Sequence, residues 1–378
     1  MQRRLAALLA LALVGALAST GPASAAPKRA RAALPVAELL LVGFRGTEVE
    51  GNAEIRRLVC DVKVGGVLLF ERDVATGAAR NIASPEQLTR LTTDLQALAR
   101  SCTGRALFIA ADAEGGQVMR LSPRVGYPPT LSAQEMGQFA DVALTELEAR
   151  RMGGMLREAG INWNLAPVVD VAINPVNPAV VALGRTFSAD PQQVIAHARA
   201  FVRGMHEAGV LTALKHFPGH GSSLTDSHAG FTDVTDTAEL DAELSPYRAL
   251  IREGLADSVM TAHVFNRGLD PWDPATLSRF TVNRILRGWY GYRGVVVSDD
   301  LLMGAIIKHY GLEEAAIKAL AAGVDVLLVS QNTKKGEAFA AERIVAAIHR
   351  AVADGGLSRS RVSSALEHVR ALRSRLPR

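Results

Sequence analysis

An α/β fold, a single (β/α)8 barrel with extra helices after its last strand, is what this sequence predicts, and three observations carry the expectation. Short runs rich in Val, Leu and Ile alternate with longer segments of helical period, the pattern of repeated βα units around a parallel sheet. Eight such runs can be placed. No low-complexity linker separates them, so although the 378 residues leave room for two domains at roughly 150 residues each, one barrel of more than about 250 residues accounts for the chain better.

The chain opens with Arg3 and Arg4, an apolar run from Leu5 to Ala18 and the small-residue site Ala23-Ser24-Ala25, the layout of a secretory signal peptide. Residues 1–25 are therefore expected to be a leader and 26–378 the barrel. The apolar run is short for a bilayer span and no later stretch reaches spanning length, so stable membrane insertion is not expected once the leader is removed. The protein is expected to be exported, to a periplasm or outside the cell.

The strands are predicted at Glu38 to Phe44, Gly65 to Phe70, Ala106 to Asp112, Ile161 to Pro167, Leu211 to Phe217, Ser258 to Val264, Gly294 to Asp300 and Val324 to Ser330. Between them, amphipathic stretches run over Pro85 to Arg100, Val142 to Ala159, Pro191 to Ala208, Thr281 to Tyr290 and Glu313 to Ala322. Gly160, Gly209 and Gly323 follow three of these, where a residue without Cβ most easily takes a left-handed cap. Two more helices, around Ala338 to Ala353 and Arg359 to Arg375, close the wall. A doubly wound open sheet competes with the barrel, but its Gly-x-Gly-x-x-Gly after the first strand is missing; Arg45-Gly46-Thr47 stands there.

Export places Cys60 and Cys102, the only cysteines, in an oxidising compartment. Each lies near the end of a helical stretch just before a strand, so the two can meet at one rim. A bridge and a pair of separate buried thiols both remain open. The 42 Lys and Arg against 38 Asp and Glu give a net charge of +4, with no dense basic run interleaved with aromatics, which argues against a nucleic-acid surface.

Chemistry in such barrels sits at the C-terminal ends of the strands. Ionisable residues gather there: Asp112 and Glu114 after strand three, Asp170 after strand four, Lys215 and His216 closing strand five, His263 at strand six, Asp299 and Asp300 at strand seven. Burying so many without a partner or a task would be costly.

The densest signal is Lys215-His216-Phe217-Pro218-Gly219-His220-Gly221-Ser222-Ser223-Leu224-Thr225-Asp226-Ser227-His228. Pro218, Gly219 and Gly221 suit a loop that closes as a flap. Asp226, two residues before His228, can hold one ring nitrogen and fix the tautomer, so the pair can act as general acid and base. A zinc site from His216, His220, Asp226 and His228 is the metal alternative, but the His-x-His expected near the first strand of metal-dependent barrel hydrolases is absent, and no metal or other cofactor is expected. For His220 a purely structural role stands equally well. In Val295-Val296-Val297-Ser298-Asp299-Asp300, neighbouring carboxylates at a strand end diverge; Asp299 is the candidate nucleophile and Asp300 the structural one.

Lys-His-Phe-Pro-Gly-His-Gly followed by Asp-Ser-His, with Val-Val-Ser-Asp-Asp and Asp112-Ala113-Glu114-Gly115-Gly116-Gln117-Val118-Met119-Arg120, closely resembles glycoside hydrolase family 3 in its β-N-acetylglucosaminidase branch. The resemblance covers nearly all of the chain after residue 25. It implies a retaining exo-hydrolase of terminal β-linked N-acetylglucosamine, notably from peptidoglycan fragments. Asp299 would be the nucleophile and His228, held by Asp226, the acid and base, unlike the carboxylate pair of most retaining glycosidases. Sugar binding would fall to Asp112, Arg120, Arg185, Lys215 and His216. Ala113, Gln117 and Leu302 depart from the usual pattern without removing a catalytic group. The expected partner is a saccharide or muropeptide, with a monomeric enzyme. A phosphorylase or β-glucosidase on the same site is the enzymatic alternative. A silent cell-wall glycan-binding protein is the alternative of another class.

Overall fold

The computed structural model describes residues 33–376 apart from 140 and 334–338. The expected leader at 1–25 lies outside the described residues, as does Ala338, the expected start of one C-terminal helix. Eight strands form a parallel ring: β1 (Leu40–Gly43), β2 (Gly66–Leu68), β3 (Phe108–Ala111), β4 (Trp163–Asn164), β5 (Leu211–Phe217), β6 (Ser258–Thr261), β7 (Val295–Val297) and β8 (Leu327–Val329). They pair in the order β7-β6-β5-β4-β3-β2-β1-β8. A parallel bridge between Val297 and Val326, with the Ser298 N–H donating to the Val326 carbonyl at 2.9 Å, joins the two ends of this order.

All eight strands fall within the expected runs, and the differences lie at their ends. Pro35 starts a 3-10 turn over Val36–Leu39, so β1 begins two residues late and Glu38 is buried beside Arg105, Arg370 and Arg373 instead of extending the strand. β4 has two residues; Pro167 beyond it has no N–H to give the ladder, and the chain pairs again with β5 through the Val168–Lys215 bridge.

The wall consists of Pro85–Thr103, Val142–Glu158, Pro191–Glu207, Leu240–Arg252, Phe280–Trp289, Leu312–Ala322, Ala340–Ala353 and Arg359–Arg373. Four of these starts carry side-chain caps, among them Ser84, which accepts from the Gln87 N–H, and Asp190, which accepts from Gln192 with Pro191 at the first helical position. Gly160, Gly209 and Gly323 take positive φ, as expected of helix stops. Leu240–Arg252 is absent from the sequence reading because Pro246 interrupts its interior. Phe280–Trp289 matches the expected stretch but is wound as a wider π-type helix. Cys60 and Cys102 form a disulfide, which decides between the two readings of that pair. Among the described residues no helix is long and apolar enough to cross a membrane.

Candidate active site

A cavity of about 970 Å³ opens at the C-terminal ends of the strands. Small-ligand sites span roughly 300–1,000 Å³, so it has room for more than one sugar ring. Asp112, Arg120, Arg185, Lys215, His216, His228 and Asp299 all line it. Only Asp226 of the expected set is not on the lining, and it acts through His228.

One wall is an ion-paired cluster. Lys215 reaches Asp112 at 2.9 Å and Glu114 at 2.7 Å, while Arg120 donates to the second oxygen of Asp112 at 3.1 Å. Arg185 grips Glu114 with two parallel bonds, Nε at 2.8 Å and a terminal nitrogen at 2.9 Å, the geometry a planar guanidinium favours. Burial disfavours every one of these charges, but the partners outweigh it: Asp112 and Glu114 are held below the ordinary carboxylate range, Glu114 at about 2, and Lys215 and Arg185 are held above their usual values. The cluster therefore stays charged across the physiological range. Arg120 thus pairs with Asp112 and Arg185 with Glu114.

His216 sits between Asp170 and Arg185. Its Nδ1 lies 2.7 Å from the Asp170 carboxylate and its Nε2 3.3 Å from an Arg185 nitrogen. Arginine can only donate, so Nε2 accepts and Nδ1 carries the proton toward Asp170. The other Asp170 oxygen accepts the backbone N–H groups of His216 and His220 at 3.2 and 2.9 Å.

The same carboxylate thus anchors the root of the strand-five flap, and two more side chains complete the anchorage. Asn177 donates to the carbonyls of His220, Gly221 and Ser223, and Glu243 accepts from the Ser222 N–H and hydroxyl at 3.2 and 3.1 Å. Burial, reinforced by the nearby Asp170 charge, pushes Glu243 up to about 7. His220 has both nitrogens on hydroxyls, Ser223 at 2.8 Å and Ser227 at 3.0 Å, and burial lowers it to about 4. It is a neutral strut inside the flap. Of the side chains weighed for zinc, His216 and His220 are thus committed to hydrogen bonds, and among the described residues no group of three or more His, Cys, Asp or Glu could hold a metal ion.

Beyond this root the tip of the flap carries His228, exposed in the cavity mouth. Its Nδ1 lies 2.8 Å from the Asp226 carboxylate, which also accepts the His228 N–H at 2.9 Å. That bond raises the imidazole above its ordinary value, with the Asp299 charge adding to it; Asp226 is drawn down to about 2. Nε2 is left for the cavity.

Asp299 stands two residues beyond the end of β7. Burial pushes its carboxyl up, but His263, His216 and His228 and the Asp300 N–H, which donates at 2.8 Å, together hold it below the ordinary range. It is a carboxylate at neutral pH with no cation bonded to it among the described residues. Asp300 points elsewhere, accepting from the Ser330 N–H and hydroxyl and from the Leu302 N–H, and so ties the end of β7 to the end of β8. His263 donates from Nε2 to the Asp300 carbonyl at 3.0 Å and meets the Thr276 hydroxyl at 2.8 Å through Nδ1, fixing this turn from below.

The expected binding and catalytic residues therefore meet in one hollow. Glu114, Asp170 and His263 were visible from the sequence only as ionisable strand-end residues; their partners stand far away in the chain. The one local signal was Asp112-x-Glu114, whose two-residue spacing turns both carboxylates to one side.

A parallel barrel whose strand ends present an ion-paired, saccharide-sized cavity, with the Asp299 carboxylate in its lining and bonded to no cation among the described residues, has the layout of a barrel hydrolase. The family profile described as "Glycosyl hydrolase family 3 N terminal domain" matches residues 34–372. The beta-hexosaminidase of Stenotrophomonas maltophilia is 39% identical over 309 residues, 80% of this chain and 86% of that protein. The beta-hexosaminidase of Tolumonas auensis is 38% identical over 299 residues, 78% of this chain and 83% of its own length. Among solved structures, a glycoside hydrolase family 3 beta-N-acetylglucosaminidase from Paenibacillus sp. superposes with a TM-score of 0.82 at 36% identity, over 90% of this chain. This chain spans 62% of that protein's length. A beta-N-acetylhexosaminidase from Beutenbergia cavernae gives a TM-score of 0.78 at 32% identity, covering 90% of this chain and 97% of the other. This chain belongs to glycosyl hydrolase family 3 and is a glycoside hydrolase.

Proposed function

We propose that the protein is an exported, retaining exo-β-N-acetylglucosaminidase that removes terminal β-linked N-acetylglucosamine from peptidoglycan fragments. The observation that carries the reading is the presence in one cavity of Asp299, ionised and bonded to no cation among the described residues, and His228, held by Asp226 on the flap.

An Asp299 oxygen attacks the anomeric carbon while the aglycone oxygen leaves with the proton of His228 Nε2, giving a glycosyl-aspartate. Water then attacks the same carbon, surrenders a proton to Nε2 and frees the carboxylate. Two displacements on one carbon retain its configuration. A histidine carries no negative charge once deprotonated, so an incoming nucleophile, water or anion, meets no repulsion from it. Asp112 has lone pairs left to accept sugar hydroxyls beyond those used by Lys215 and Arg120, and Arg185, Lys215 and His216 provide a fixed polar floor.

The names of the relatives support the acetamido sugar, and the Cys60–Cys102 bridge supports an oxidising compartment and hence export. The test is an assay of the protein on aryl β-N-acetylglucosaminide beside aryl β-glucoside, following the anomer released first by NMR. Preference for the acetamido sugar with β-product is expected. A first-formed α-product overturns retention, and sugar 1-phosphate formed in phosphate buffer makes the enzyme a phosphorylase.

A further inference from the structure

The flap is held in two places. Its root is fixed by Asp170, Asn177 and Glu243, as described above, but the tip that carries His228 is fixed by the loop after the nucleophile. The Gly304 N–H donates to the His228 carbonyl and the Ala305 N–H to the Ser227 carbonyl, both at 3.3 Å. The Lys308 ammonium donates to the Ala229 carbonyl at 2.7 Å. The Phe231 ring meets the imidazole of His309, 5.9 Å between centroids.

The approach at position 304 admits nothing larger than glycine. A Cβ there would stand 2.8 Å from the Ala229 carbonyl oxygen and 3.0 Å from that of His228. One short segment, five to ten residues beyond Asp299 in the chain, therefore receives three consecutive carbonyls of the tip, Ser227, His228 and Ala229. Asp299 and this dock belong to one loop, so whatever seats the tip also sets where His228 stands relative to Asp299.

We infer that Lys308 and Gly304 are positioning residues that latch the flap tip onto the nucleophile loop and thereby place His228 for proton transfer. The inference rests on the reading of His228 as acid and base. It adds to that reading a second requirement: the histidine works only when three main-chain carbonyls are docked on the loop after Asp299. Neither latch residue touches the sugar. Lys308 acts through the Ala229 carbonyl, and Gly304 through the absence of a side chain.

The test compares Lys308→Met, which keeps the aliphatic stem and removes the donor, with Lys308→Arg, Gly304→Ala, His228→Ala and the double variant of Lys308→Met with His228→Ala. Amide exchange over 224–231 and kcat and KM on an aryl β-N-acetylglucosaminide with a poor leaving group are the two readouts. Lys308→Met and Gly304→Ala should speed exchange at the tip and lower kcat by roughly 10- to 100-fold, the scale of a displacement of about 1 Å, while KM changes little. Lys308→Arg should restore both readouts, and Lys308→Met should add nothing to His228→Ala.

Unchanged exchange or unchanged kcat in Lys308→Met overturns the latch. So does a Lys308→Met effect that persists at full size on top of His228→Ala. If His228→Ala alone keeps wild-type activity, the acid and base assignment falls and the positioning role falls with it. The exchange data then show separately whether the docking contact itself exists.

Discussion

Glu38, Asp257 and Asp325 stand just before β1, β6 and β8 at the N-terminal end of the barrel, and each is buried and bonded to several basic side chains. Glu38 meets Arg105, Arg370 and Arg373; Asp257 meets His206 and Arg375; Asp325 meets Arg287, Arg361 and His368. At the C-terminal end, Asp112 and Glu114 are paired in the same fashion, yet among the described residues Asp299 accepts one backbone N–H and bonds no cation. The partners at the bottom come largely from the C-terminal helix and tail, so those ion pairs fasten the last helix across the end of the ring. At the top the unshared oxygen faces an open cavity. Carboxylates saturated with donors hold the fold together, and the one left unsaturated is available to react.

The sharpest way to break this comparison is to exchange the chemistry of each end. Asp299→Asn should lower kcat/KM by roughly 10³-fold or more, as removal of a nucleophile does, with a melting temperature within about 2 °C of the parent. Near-native turnover in this variant would show that the free carboxylate is not the nucleophile. Asp325→Ala should do the reverse, costing about 3–5 kcal/mol because Arg287 and Arg361 are left buried without their anion. Chemical denaturation measures that loss, and the folded fraction should keep the parent's kcat. The bottom carboxylates also set an acid limit. Their folded values are depressed because the cations overcome burial, so the stability they contribute is complete above the ordinary carboxylate range near pH 4 and is lost as pH falls through those depressed values. Melting temperature against pH should therefore fall on the acid side, and less steeply in Asp325→Ala.

How much of this was legible in the sequence differs between the two ends as well. The strands stood out as β-branched and leucine runs between helical periods. Asp299 and Lys215-His216 stood out because ionisable residues close such runs at the rim. The partners were hidden. Glu114 and Arg185 are 71 residues apart, and Asp325 reaches Arg361 and His368 on a helix that follows the last strand. A pairing of that kind depends on closure of the ring, which no local pattern records. Leu240–Arg252 was hidden for a local reason, Pro246 within it, and with it went the clamp that Glu243 places on the flap root. The division of the flap into a fixed root and a docked tip is likewise a tertiary property, since Gly219 and Gly221 read only as flexible positions until their neighbours are known.

Smaller effects sharpen the contrast. Reducing the Cys60–Cys102 bridge, which closes 42 residues of chain between β2's preceding turn and the helix before β3, should cost about 2–4 kcal/mol. The bridge precedes β2 and β3 in the chain and the cavity lies at the C-terminal ends of the strands, so initial rates at low temperature should be unchanged; a parallel loss of kcat would tie the bridge to the site. Asp226→Asn should act on pH alone in the first instance. His228 must be protonated to deliver a proton to the aglycone, and the Asp226 bond raises its value. Without the carboxylate the imidazole releases its proton earlier, so the alkaline limb of kcat/KM on a poor leaving group should move to lower pH. A limb that stays in place would mean that another group supplies the proton.

The central claim is that Asp299 forms a bond to sugar carbon while His228 serves both half-reactions. Its most direct measurement is mass spectrometry of His228→Ala quenched during turnover of an aryl β-N-acetylglucosaminide with a good leaving group, where the first step needs little acid and the second lacks its base. The account predicts one N-acetylhexosamine carried on the peptide containing Asp299. An adduct on a different residue, or steady turnover of His228→Ala with the protein unmodified throughout, would contradict it.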